Sequence, residues 1–197
     1  MMYDVVIIGS GLGGLQSAYI LSREGFNVCL VEKNGQLGGC LQTFKRNGSI
    51  FDTGMHYIGS MDEGQVLNRL FKYFGLTSAL KLKRLDENGY DIIRFNDKEY
   101  RYAMGYESFA DVMLSSFPEE KQGILAYVNK LKEVSSSVDL LNLRNFSGHD
   151  PGHLNLYSKG FDDFICSITR NETLQQFFFS TSPLYAGEKV LHHFTLQ

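Results

Sequence analysis

The chain has 197 residues, 43% hydrophobic and 21% charged, with a formal net charge of −3. Ordinary apolar content with so small a net charge excludes a disordered chain, and a chain of this size buries roughly 70% of its unfolded surface. Lys81, Lys83 and Arg84 form a single short basic group that reads as a solvated strand edge, so nucleic acid is not an expected partner.

Tyr3 to Ile8 is a continuous apolar run rich in β-branched residues, which predicts a strand buried on both faces. Gly14 to Arg23 carries Leu15, Ala18, Tyr19 and Leu21, which predicts a helix, and Gly25 is placed to end it. Asn27 to Val31 predicts a second short strand. Strand, helix and strand in succession make a βαβ unit and imply a parallel sheet with a right-handed crossover. Val5 to Ser22 is also uncharged over 18 residues, the length of a membrane span. Its glycines and serines, and Asp4 ahead of it, favour strand, turn and helix instead.

Asn34 to Gly39 reads as a glycine-containing loop, with a short helix opening near Gly39. Asp62 to Phe74 has helical spacing in Val66, Leu67, Leu70, Phe71 and Phe74. Leu80 to Ala103 reads as strands. Within it Asn96-Asp97 is a two-residue hairpin turn, and Tyr100 and Tyr102 alternate with Glu99 and Arg101 to give one buried face. From Tyr106 the chain is mostly helical, with Ser108 to Asp111 resembling a capping box. Pro118 suits a first helical turn, with Glu119 and Glu120 at the positive end of the dipole. Ile124, Tyr127, Val128, Leu131 and Val134 form one apolar stripe. Ser147 to Gly152 reads as a loop, and Phe161–Ile168 and Leu174–Phe179 as two further helices.

Gly9-Ser10-Gly11-Leu12-Gly13-Gly14 fits GxGxxG. It follows a strand and opens a helix, Ala18 falls where that helix must pack closely, and Glu32 ends the second strand. In such a motif Gly9 permits the tight turn, Gly11 lets backbone approach a pyrophosphate, and Gly14 lets the helix lie close to the sheet. The N–H groups at the helix start favour the diphosphate. Glu32, eighteen residues beyond Gly14, is placed to accept hydrogen bonds from the adenosine ribose. A bound dinucleotide is therefore expected, and a side chain at position 11 should exclude it. NAD and FAD share this ADP half. FAD is favoured by the position of the motif near Met1 and by Gly38-Gly39 close behind the acid, while Glu32 disfavours the 2′-phosphate of NADP.

The N-terminal residues resemble the FAD-dependent amine oxidase and phytoene desaturase superfamily. Gly38-Gly39-Cys40-Leu41-Gln42-Thr43-Phe44, followed by Phe51-Asp52-Thr53-Gly54-Met55-His56-Tyr57-Ile58-Gly59, is similar to the branch of carotenoid isomerases and retinol saturases. The likeness is strongest over residues 3–75. It continues more loosely through Gly105-Tyr106-Glu107-Ser108-Phe109 and Phe117-Pro118-Glu119-Glu120, and fades after about residue 145. The resemblance implies that Gly9, Gly11, Gly14 and Glu32 hold the ADP half of FAD and that Gly38 and Gly39 approach the pyrophosphate and flavin; Ser10, Lys33, Cys40 and Thr43 complete the expected cofactor-binding set. It places Asp52 to Gly59 near cofactor and substrate. His56, two residues after Gly54, reads either as a group that orients flavin or substrate or as a structural histidine bonded to backbone. Many members carry arginine after Gly-Gly where this chain has Cys40, so a fixed positive charge is missing there; an inert, packed thiol is expected instead.

The fold expected is α/β: residues 1–78 as the N-terminal part of a Rossmann-type FAD-binding parallel sheet, and residues 79–197 as part of an α+β substrate domain. The resemblance implies an oxidoreductase of desaturase, saturase or isomerase type acting on an apolar polyene. Members of the superfamily are longer, and a C-terminal segment returns to cover their flavin. A second reading is therefore a non-catalytic fragment that binds FAD weakly or not at all and self-associates through an incomplete sheet. A third is an NAD-linked oxidoreductase. Three scattered cysteines, Cys29, Cys40 and Cys166, fit a reducing compartment, cytoplasmic or peripheral to a membrane, and no metal site is expected. His149 and His153 flank a turn without a third ligand, and His192 and His193 point apart. Phe177 to Phe179 are expected in a core and not along a tunnel.

Overall fold

The computed structural model describes residues 2–55, 57–95, 97–138, 142–143 and 160–181. His56, Asn96, His149, His153, His192, His193 and the loop at Ser147–Gly152 lie outside them. The chain divides into two compact units, Met1–Leu80 and Lys81–Gln197, each described by itself.

In the first unit β1 (Val5–Ile8) and β2 (Val28–Val31) pair in parallel, from Val5 opposite Val28 to Ile8 opposite Val31. Helix α1 (Leu12–Arg23) makes the crossover. It ends as a glycine at this position allows: Gly25 has φ 92°, Phe26 N–H donates to the Leu21 carbonyl at 3.1 Å, and Gly25 N–H to that of Ser22 at 3.2 Å. These two bonds satisfy carbonyls that the helix leaves open. Asp4 ties the two strands at their start by accepting the Asn27 N–H at 2.8 Å.

One expectation is corrected here. β1 is covered on one face only, since Val5 and Ile7 are half-buried whereas Val6 and Ile8 are exposed at 59% and 88%. The sheet has two strands and a helix on one side, so the alternate side chains of each strand have nothing to pack against among the described residues.

After a 3-10 turn at Gly39–Leu41 comes a hairpin, β3 (Thr43–Arg46) and β4 (Ser49–Asp52), which periodicity did not predict. Its turn is Asn47-Gly48, with φ 49° and 81°. Positive φ at both central residues is what a two-residue hairpin matching the strand twist requires. Phe44 and Phe51 stack across it with ring centroids 5.3 Å apart. Helix α2 (Val66–Tyr73) is shorter than expected at its start, where residues 62–65 form a turn.

In the second unit β5 (Asp91–Phe95) and β6 (Lys98–Tyr102) form the expected hairpin, antiparallel from Asp91 opposite Tyr102 to Phe95 opposite Lys98. Tyr100 and Tyr102 are buried and Glu99 and Arg101 exposed, as their alternation requires. Residues 81–86 have no regular structure, so Lys81, Lys83 and Arg84 are solvated but sit on no strand.

Helix α3 (Tyr106–Ser116) begins at Tyr106 after Gly105, whose φ is 85°. No side chain caps it. Ser108 and Asp111 therefore lie inside the helix and form no capping box, because the turn at Gly105 starts the helix one residue beyond itself. Pro118 opens a 3-10 turn, Pro118–Glu120, that leads into α4 (Lys121–Ser137). Ile124, Tyr127, Val128 and Val134 of α4 are buried, with α5 (Phe161–Ile168) and α6 (Glu172–Phe179) completing the cluster. Asn171 caps α6 by accepting the Leu174 N–H at 3.1 Å. The core is aromatic: Tyr102 stacks on Phe177 at 5.0 Å and Tyr127 on Phe178 at 4.1 Å. Phe177 and Phe178 are fully buried, as core residues should be. Among the described residues no helix is long and apolar enough to cross a membrane.

Candidate dinucleotide site

The site forms where β1 and β2 end together. Gly9 leaves β1 with φ 96° and donates its N–H to the Val31 carbonyl at 2.7 Å, so the turn is locked to the end of β2. A residue with a Cβ is strained at that φ. Gly14 has a different reason to be glycine. A Cβ there would stand 2.0 Å from the Gly9 carbonyl oxygen and 3.5 Å from Ile7 Cγ2, so the first turn of α1 presses directly on the strand exit.

Gly11 is the N-cap of α1, and no side chain caps the helix start. A Cβ on Gly11 would meet nothing within 4 Å, and the same holds for Gly13. The protein itself thus does not require glycine at position 11. Open space in front of uncapped N–H groups is the cradle that a pyrophosphate needs, and a side chain would fill it. The residues present fit the diphosphate of a dinucleotide on this ground. The second glycine pair closes against the first. Gly39 has φ 57°, and a Cβ on it would stand 2.9 Å from Gly11 Cα. Gly38, at φ 112°, donates its N–H to the Ser10 carbonyl at 3.0 Å.

Glu32 stands at the exit of β2. Its Oε2 accepts the Ser10 N–H at 2.8 Å and the Ser10 hydroxyl at 2.7 Å, and its Oε1 accepts the Asn34 N–H at 2.9 Å. The Asn34 amide, then the Ser10 amide and hydroxyl, hold this carboxyl down at about 2, with the Lys33 backbone adding to them. The group is an anion at every pH near neutrality.

Gly9, Ser10, Gly11, Gly14, Glu32, Gly38 and Gly39 thus converge. Lys33 enters through its backbone, and its side chain is exposed. Cys40 sits in the 3-10 turn as an exposed free thiol, which corrects the expectation that it is packed; that turn is too short to bury it. Thr43 opens β3 and is exposed. The start of the Asp52–Gly59 string is held beside this loop, as Thr53 donates its N–H to the Gln42 carbonyl at 3.0 Å. Asn34 and Gln42 were not singled out from sequence, because the Asn34 N–H that holds Glu32 and the Gln42 carbonyl that holds Thr53 are backbone atoms any residue carries. Among the described residues no group of His, Cys, Asp and Glu has the arrangement of a metal site.

Comparison with known proteins agrees with this geometry. Residues 7–74 match the family described as NAD(P)-binding Rossmann-like domain. The human all-trans-retinol 13,14-reductase is 37% identical over 142 residues, covering 68% of this chain and 22% of that protein. Prolycopene isomerase 2, chloroplastic, of an Oncidium hybrid cultivar is 30% identical over 145 residues, covering 73% of this chain and 24% of that protein. A putrescine oxidase triple mutant superposes with a TM-score of 0.60 at 19% identity, over 91% of this chain and 36% of that one, which shows a shared fold. The chain spans about a quarter of the length of the curated relatives it matches. Over that part of their length it belongs to the family of the retinol 13,14-reductases and prolycopene isomerases.

Proposed function

We propose that this chain binds FAD and that its site serves an oxidoreductase acting on an apolar polyene such as a retinoid or carotenoid. The observation that carries the cofactor half is the open space in front of Gly11, framed by the uncapped start of α1 and by Gly39. In this reading the N–H groups at the start of α1 hold the diphosphate, and Glu32 accepts from the adenosine ribose. The Gly38-Gly39 loop lets backbone run alongside the rest of the cofactor. The polyene half rests on the relatives, whose names are those of a retinol reductase and a prolycopene isomerase. Hydride transfer would be the chemistry of the bound flavin, while the protein binds it, orients it and keeps water from it. His56, in the string after Gly54, is the candidate to orient substrate or flavin.

The test is spectroscopic. The full chain, purified and supplied with FAD, is expected to retain a flavin absorbance near one equivalent after gel filtration. A colourless chain that enhances NADH fluorescence would replace FAD by NAD. A chain that retains neither would remove the dinucleotide reading.

A further inference from the structure

Ser10 is the one described residue of the first unit that is buried, with no exposed surface at all. Each of its polar groups is engaged. Its N–H and its hydroxyl both donate to Glu32 Oε2, at 2.8 and 2.7 Å. Its carbonyl and its hydroxyl oxygen both accept the Gly38 N–H, at 3.0 and 3.3 Å. A hydroxyl has one proton to give, so here the proton goes to the carboxylate and a lone pair takes the amide. A side chain buried and committed in this way does not face a ligand. It joins three parts of the site that are distant in sequence: the glycine turn, the acid at the end of β2, and the second glycine pair.

We infer that Ser10 is a positioning residue for ribose recognition, acting through Glu32 and not on the cofactor. The inference rests on the dinucleotide reading above. Two donors on one carboxylate oxygen fix both the position of that oxygen and the plane of the group. Asn34 N–H then fixes Oε1 from the other side. The carboxylate is thereby set before a ribose arrives, and the ordering of a long, rotatable side chain need not be repeated on binding. With alanine at position 10 the backbone N–H bond survives. The hydroxyl's bond to Glu32 is lost, Gly38 N–H keeps only the carbonyl of residue 10 as its acceptor, and Glu32 regains rotational freedom.

Two ligands separate positioning from mere support of the fold. ADP carries the ribose 2′-hydroxyl that a carboxylate at this place reads, and 2′-deoxy-ADP lacks it. Affinities of the full chain for both are to be measured by calorimetry for wild type, Ser10→Ala, Glu32→Gln and the double variant. A hydrogen bond to a charged group predicts that wild type prefers ADP by about tenfold or more. Glu32→Gln should largely erase that preference, and Ser10→Ala should lower it to about twofold. The double variant should match Glu32→Gln alone, since residues acting through one group are not additive. Equal weakening for both ligands, with the wild-type ratio kept in Ser10→Ala, would show that Ser10 only supports the fold and would overturn the inference. In parallel, carbon NMR of the Glu32 carboxyl in the ligand-free chain should show it titrating closer to the ordinary range in Ser10→Ala. No movement there would also overturn it. A wild-type chain that binds neither ADP nor FAD would fail differently, removing the dinucleotide reading and this inference together.

Discussion

Gly11 and Gly14 are three residues apart in one motif and are glycine for opposite reasons. At Gly14 the protein leaves no room, because the Gly9 carbonyl oxygen already lies 2.0 Å from where a Cβ would stand. At Gly11 the protein leaves room that it does not use. Gly14→Ala should therefore destabilise the ligand-free chain, by at least the upper part of the about 1–3 kcal/mol that overpacking costs. Gly11→Val should leave the melting temperature of the ligand-free chain nearly unchanged and abolish FAD retention. Thermal melts with and without FAD check both, and a Gly11→Val chain that retains full flavin would remove the basis of the site. Glu32 adds a pH signature. Its carboxyl is held at about 2 in the folded chain against 4.5 for an ordinary glutamate. A lowered folded value means that the interaction stabilises the fold above pH 4.5 and is lost as pH falls through about 2. Denaturant titrations should thus show wild type more stable than Glu32→Gln near neutrality, with the difference shrinking as the pH is lowered from 5 towards 2.

The elements that were legible in the sequence are those whose signals agree with one another. The first βαβ unit combines a β-branched run, a glycine turn, a helical apolar pattern and a glycine stop, and α1 and β2 lie where these place them. The β5–β6 hairpin was readable because Tyr100 and Tyr102 alternate with charged neighbours and are buried. The β3–β4 hairpin was not read, although Asn47-Gly48 is a strong turn pair. Its arms, Thr43–Arg46 and Ser49–Asp52, are exposed throughout, so no alternation of burial marks them. The start of α3 was misplaced because a backbone turn at Gly105 does the work assigned to a serine side chain. Close approach of elements outside a known motif is also invisible in sequence. Gly123 lies inside α4, where alanine would ordinarily gain up to about 1 kcal/mol in helix propensity. A Cβ there would stand 2.7 Å from the Ile168 carbonyl oxygen at the end of α5. Gly123→Ala should therefore destabilise the chain by about 1–2 kcal/mol in urea unfolding, the clash outweighing the propensity.

The two units differ in what they bury. The second has an aromatic core built from β6, α3, α4, α5 and α6, in which Met113, Ile124, Leu174, Phe177 and Phe178 have no exposed surface. In the first, Val6, Ile8, Val31, Leu37 and Ile50 are exposed among the described residues. Local stability follows burial, so amide exchange in the ligand-free chain should be slowest in residues 98–134 and 161–179 and faster through residues 5–54. Added FAD should slow exchange around residues 9–14 and 32–39, since a ligand that binds only the folded form stabilises it. Mass spectrometry of exchanged peptides reads both effects. Exposed apolar strands are also what protein quality control recognises in a cell, where a chain persists or is degraded according to how long it stays folded. On the FAD reading proposed above, the amount of this protein in a cell should accordingly follow vitamin supply: riboflavin starvation should lower its abundance without lowering its messenger RNA.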